Sequence, residues 1–160
     1  MIQLLHGVKA RVFPVGRLDF QSEGLLLLTD DGDLARSLMH PGRGVPKTYQ
    51  VKVRGEPTPE ALRRLARGIV IDGRKTLPAR LRLARPGRNA WVEVTVVEGR
   101  KHHVRRMLQA VGHRVLRLRR TAYAGVRLGK LPPGRFRPVS ERELRILRRA
   151  AELDTAAQVL

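Results

Sequence analysis

A chain of 160 residues with 42% hydrophobic but only 4% aromatic content fits one domain with an aliphatic core. Its 33 Lys+Arg against 14 Asp+Glu give a formal charge of +19, the electrostatic footprint of a polyanion binder. The lack of cysteine excludes disulfides, thiolate zinc sites and thiol nucleophiles, and no apolar run approaches the ~20 residues of a membrane span.

Residues 1–10 are too short and mixed for a secretory leader, so a cytoplasmic location is expected. Residues 11–15 read as a short strand, 16–24 as a charged loop, and the apolar run 25–28 as a fully buried strand. Asp30-Asp31-Gly32-Asp33 is turn chemistry that also caps a helix over 33–39. After a Gly/Pro loop, residues 47–54 alternate as a strand, with Tyr49, Val51 and Val53 on one face. Thr58-Pro59 opens a helix that ends near Gly68. Strands follow at 69–71, 77–84 and 90–97, then a helix over about 102–111 and a basic strand over 114–123. A Pro/Gly loop spans 128–138, and Ser140 to Glu143 forms a capping box for a last helix. Strands joined by short turns outnumber helices, which predicts an α+β fold with a mixed, largely antiparallel sheet flanked by helices. No linker divides the chain, so residues 1–153 are expected to be one domain and 154–160 a tail.

Two facing arguments bear on chemistry. Tyr49 lies on the strand face of Val51 and Val53, so its ring should point inward or into a pocket. In the 102–111 helix, Val104, Leu108 and Val111 define the buried stripe, which Arg105 flanks while Arg106 points away. Arg114, Arg117, Arg119 and Arg120 fit either a solvated face or contact with the phosphates of a polyanion. The adjacent His102 and His103 are poorly spaced for joint metal ligation, and Asp30, Asp31 and Asp33 lack the closing Glu of a calcium loop.

Four local motifs occur in order. They are Gly16-Arg17-Leu18-Asp19 with Ser22-Glu23-Gly24 and the Leu25–Leu28 run, Lys47-Thr48-Tyr49, Glu98-Gly99-Arg100 with Val104-Arg105-Arg106-Met107, and the basic strand Val115–Tyr123. Together they resemble the RsuA/RluB-type ribosomal RNA pseudouridine synthases, from about Arg11 to Arg148. The resemblance implies the pseudouridine synthase fold and an isomerase of rRNA processing that converts a specific uridine in ribosomal RNA to pseudouridine, without cofactor or metal. It implies that Asp19 attacks the flipped nucleotide, that Tyr49 stacks on the target base, and that Arg105 pairs with the aspartate. Leu118 is similar to the leucine that packs against the base, and Arg17, Lys47, Arg106 and Arg120 complete the expected RNA-contacting set. The Leu run and the Met39-His40-Pro41 segment look closer to large-subunit (23S) enzymes.

The chemistry suits these residues. Moving a ribose from N1 to C5 of the same base needs a nucleophile or charge stabiliser rather than a redox centre. An opposing guanidinium keeps a pocket carboxylate ionised. The target base must be extruded from folded RNA, and a stacking ring offsets roughly 1–3 kcal/mol of that cost.

The chain departs from the family pattern in three ways. It has no match to the S4-like RNA-binding domain or to the first strand with its Lys-Pro-x-Gly segment, and His103 stands where Gln is common. The N-terminally short domain is therefore expected to expose a sheet edge near residues 11–15, through which a homodimer could form. The rival reading is an RNA-binding module without catalysis. The joint presence of Asp19, Tyr49 and Arg105 separates the two.

Overall fold

A computed structural model describes residues 5–152. The expected tail at 154–160 lies outside them. The strands are β1 (Phe13–Val15), β2 (Glu23–Gly24), β3 (Leu27–Thr29), β4 (Lys47–Val53), β5 (Val70–Ile71), β6 (Arg74–Lys75), β7 (Arg80–Arg85), β8 (Trp91–Val96), β9 (Val115–Tyr123) and β10 (Val126–Arg127). The α-helices are α1 (Gly32–Met39), α2 (Pro59–Arg67), α3 (His103–Ala110) and α4 (Glu141–Glu152).

The central sheet runs β10-β9-β4-β8-β7 with antiparallel neighbours, and the short β2 adds to β9 in parallel. The mixed, mainly antiparallel α+β architecture follows from the alternating Val residues of β4 and β8. Val51, Val53, Val92, Val94 and Val96 are all buried, while their strand neighbours are not. Leu65 of α2 and Met107 and Leu108 of α3 close over this face. Each such side chain contributes about 1.5–3 kcal/mol on burial. A second core joins Leu38 of α1 and Leu147 of α4 to Val15, Leu25, Leu27, Tyr123 and Val126.

Local signals explain the helix ends. The Asp31 carboxylate accepts from the Asp33 and Leu34 amides at 3.1 and 2.9 Å, and Thr58 Oγ1 accepts from Ala61 at 3.1 Å. At α4 the Glu143 amide donates to Ser140 Oγ at 3.1 Å and Glu143 takes the Ser140 amide at 2.8 Å, the reciprocal pattern of a capping box.

Three expectations need correction. The Leu25–Leu28 run is not a fully buried strand: Leu25 and Leu27 are buried, Leu26 and Leu28 only partly, and β3 begins two residues later. It pairs with β1 in a separate two-stranded ribbon, which leaves one face less covered. Residues 41–43 form a 3-10 turn inside the expected loop, with His40 Nδ1 accepting from Gly42 N. Residues 23–24, expected as the end of a charged loop, form β2 and pair with β9; two residues are too few to alternate and so give no periodic signal.

Candidate active site

Asp19 stands on the loop between β1 and β2. The Ser22 amide donates to the Asp19 carbonyl at 2.8 Å and closes a tight turn that presents the carboxylate. The loop is fastened to β9. Leu25 N donates to Arg120 O at 2.8 Å, and the Arg120 side chain returns two bonds, Nε to Leu25 O at 2.8 Å and Nη1 to Arg17 O at 3.3 Å. Arg120 is only 3% exposed. Burying a guanidinium costs several kcal/mol. Two charge-assisted bonds of about 1.5–3 kcal/mol each offset much of that. Gly24 is required at this contact: its φ is 116°, and a Cβ there would stand 2.2 Å from Arg120 O.

The loop forms one wall of a cleft of about 770 Å³ where the two cores meet. Arg17, Leu18, Asp19 and Phe20 line this wall, and Lys47 and Tyr49 enter from β4. Glu98 to Val104 line a further side, and Leu118, Arg120 and Tyr123 come from β9. Lys47 and Tyr49 are two residues apart on one strand and so project the same way. Phe20 at the rim is fully solvent-exposed.

The cleft therefore brings together Asp19, Tyr49, Leu118, Arg17, Lys47 and Arg120 of the residues singled out from sequence. Arg105 and Arg106 are not among its lining residues. Arg105 Nη2 donates to the Gln21 carbonyl at 2.6 Å, so it holds the turn that carries Asp19 by its backbone. The expected ion pair between Asp19 and Arg105 is not formed among the described residues. Asp19 instead has His102 Nδ1 at 3.4 Å from its Oδ2. Arg106 pairs with Asp72, which holds it away from the cleft. Arg120 also differs from expectation: its guanidinium is internal and ties down the loop, so it is neither solvated nor free to track phosphate from outside. Arg114 and Arg117 remain exposed, and Arg117 pairs with Glu23 at 2.6 Å.

In the sequence His102 carries no signal for a place beside Asp19, since next to His103 it reads only as a poorly spaced metal ligand. It precedes α3 in left-handed backbone, with φ 52°, and this turn points it at Asp19. Glu98 stands out in the sequence only as part of a motif. Its Oε1 accepts the Leu77 amide at 2.7 Å and lies 3.2 Å from His103 Nε2, and its Oε2 lies 3.3 Å from Arg100 Nε. His103 is buried, and desolvation holds its pKa below the ordinary value against the opposing pull of Glu98. Lys47 is likewise lowered, by burial first and then by the Arg120 charge. Burial raises the Tyr123 phenol, whose OH reaches Leu38 O at 3.1 Å.

The sequence matches a family model, and the fold matches a solved structure. The model for RNA pseudouridylate synthases covers residues 2–110. The chain belongs to that family and has its α+β fold. It is 43% identical over 148 residues to ribosomal large subunit pseudouridine synthase B of Bacillus subtilis, covering 91% of this chain and 61% of that protein. It is 39% identical over 155 residues to ribosomal large subunit pseudouridine synthase E of Xanthomonas campestris, covering 87% and 83%. A crystal structure of a pseudouridylate synthase superposes with a TM-score of 0.80 at 34% identity, over 85% of this chain and 59% of that one. The chain thus spans about three-fifths of the first and last of these relatives.

Proposed function

We propose that this chain is an RNA pseudouridine synthase that isomerises a specific uridine of large-subunit ribosomal RNA, with Asp19 as its nucleophile. The single observation that carries the reading is the cleft in which Asp19 meets Tyr49 and Leu118, in a member of the pseudouridylate synthase family. The relatives named for the ribosomal large subunit support the choice of RNA. The +19 charge suits a polyanionic substrate.

In this reading the uridine is flipped into the cleft and its base lies between the Tyr49 ring and Leu118. Asp19 acts at the sugar carbon of the flipped nucleotide, and Arg105 positions the Asp19 turn through Gln21 O. Arg17, on the loop, contacts the RNA beside the flipped residue. No cofactor is required, because the reaction exchanges one bond to the base for another. The enzyme works where ribosomes are assembled, in the cytoplasm.

A homodimer through a sheet edge is the proposed assembly. Of the central sheet's outer strands, β7 carries Arg80, Arg82 and Arg85, charges that discourage pairing. The β1–β3 ribbon is the better candidate, and sedimentation at several protein concentrations tests it.

The test of function is a map of pseudouridines in ribosomal RNA from cells with and without the gene. The expected result is one or a few 23S positions that lose the modification. Identical maps would overturn the proposal.

A further inference from the structure

The cleft holds more positive charge than its own carboxylates satisfy. Arg17, Lys47, Arg100, Lys101 and Arg120 line it, against Asp19 and Glu98. Both carboxylates already face other groups: Asp19 faces His102, and Glu98 faces Arg100 and His103.

Lys47 stands apart from the cations of the rim. It is half-buried, and among the described residues no carboxylate lies within ion-pairing distance of it. Its ammonium makes one long bond, 3.4 Å to Val45 O, and lies 5.6 Å from the centroid of the Tyr123 ring. The titratable groups around it are the Arg120 guanidinium from β9, the His103 imidazole from α3, the Tyr123 phenol from β9 and Tyr49 from its own strand. Arg120 is itself buried, with Nη2 unpartnered among the described residues and its guanidinium carbon 5.1 Å from the Tyr123 ring centroid. Two desolvated cations with no anion between them are costly unless the site exists to receive negative charge.

Position decides what kind. Lys47 shares its strand face with Tyr49, so ammonium and ring project into the same cavity. A phosphodiester stays with the RNA backbone, whereas the group that enters a cavity of this kind is the extruded base. We propose that Lys47, supported by the buried charge of Arg120, is the electrostatic acceptor for the uracil. It stabilises the negative charge that the base carries once detached from the ribose. This rests on the pseudouridine synthase reading above and assigns a substrate group to Lys47.

The electron count fits. The bond between C1′ and N1 breaks with its pair going to the base, where the charge spreads over N1, O2 and O4. The electron-poor C1′ is held by the Asp19 carboxylate. The base turns, a pair from C5 forms the C1′–C5 bond, and the carboxylate is released. C5 then loses its proton and N1 gains one. Substrate and product have the same atoms, and nothing is oxidised or reduced. An ammonium beside O2 or O4 is most useful in the middle of this sequence, when the base is anionic, which is differential stabilisation of the reacting state.

The experiment compares wild type with Lys47→Met and Lys47→Arg on an unmodified 23S ribosomal RNA transcript. It measures single-turnover rates at saturating enzyme, filter-binding Kd and the salt dependence of Kd. Lys47→Met should slow the single-turnover step by about 100-fold, the typical effect of removing one charge-stabilising donor. Its Kd and salt slope should stay near wild type, and Lys47→Arg should recover part of the rate. A transcript made with 5-fluorouridine, whose base bears negative charge more readily, should shrink the Lys47→Met deficit in nucleoside consumed. A rate loss removed by saturating enzyme, with a salt slope smaller by about one, would overturn the assignment in favour of a phosphate contact. An equal deficit on both transcripts would overturn it as well. A wild-type protein inert on the transcript while binding it would instead overturn the enzymatic reading beneath it.

Discussion

The imidazole of His102 stands 3.4 Å from the Asp19 carboxylate, while Arg105, three residues further along the chain, binds the Gln21 carbonyl of the same turn. Two residues from the start of α3 thus hold the Asp19 turn, one at its side chain and one at its backbone. Their weights differ. His102 is exposed, and exposed pairs contribute about 0.2–1 kcal/mol. Arg105 makes a short charge-assisted bond worth about 1.5–3 kcal/mol. His102→Ala should therefore lower kcat on ribosomal RNA by no more than about fivefold, and Arg105→Met by about 10- to 100-fold. Equal losses in kcat for the two variants would mean that the backbone contact is not the stronger hold.

Gly24→Ala should damage the site from a distance. A Cβ at Gly24 meets the Arg120 backbone at 2.2 Å, so β2 must leave β9 or the Arg120 clamp must shift. The chain should keep its secondary structure by circular dichroism, since β2 is two residues long. Hydrogen exchange should quicken at Ser22 and Leu25, whose amides close the loop onto itself and onto β9. Protection unchanged at those two amides would show that the loop is held by other contacts.

His103 should make the fold acid-sensitive. Its folded pKa lies below the ordinary 6.5, chiefly through desolvation. The unfolded chain therefore takes up the proton more readily, and stability rises with pH in that window. The contribution of neutral His103 is present above pH 6.5 and drains as pH falls below it. His103→Gln removes the titration while keeping a polar group for Glu98. Melting temperatures at about pH 7.5 and about pH 5 should differ less for this variant than for wild type. Equal differences would assign the acid sensitivity to other groups.

Binding to RNA should weaken steeply with salt. Each phosphate contact on single-stranded RNA adds a slope of about −0.7 to log K against log salt. The exposed Arg114 is free for such contact, whereas Arg106 and Arg120 are engaged within the protein. Arg114→Ala should reduce the slope by nearly one contact, and Arg106→Ala should leave it unchanged. A smaller slope for Arg106→Ala would show that its pair with Asp72 opens on binding.

Much of this was legible in the sequence because it rests on local signals. Valine alternation in β4 and β8 and the capping residues Asp31, Thr58 and Ser140 each act within a few residues. The sites of failure share a cause. Arg105 flanks the α3 stripe as its spacing requires, yet its partner is fixed by where the Asp19 turn sits, a contact 84 positions away in the chain. Arg120 carries a local signal of its own. It alternates with buried Leu118, so the strand period alone turns it inward. The Leu25–Leu28 run shows the limit of periodicity, since a short apolar run reads the same whether it has one covered face or two.

Asp19→Asn tests the central claim most directly. The amide keeps the shape of the side chain and removes its charge and nucleophilicity. Pseudouridine formation in a 23S transcript should fall to background, with RNA affinity near that of wild type, because Asp19 is one half-buried carboxylate in a strongly basic chain. Turnover by the Asn variant comparable to wild type would contradict the account and leave Asp19 as a turn residue only.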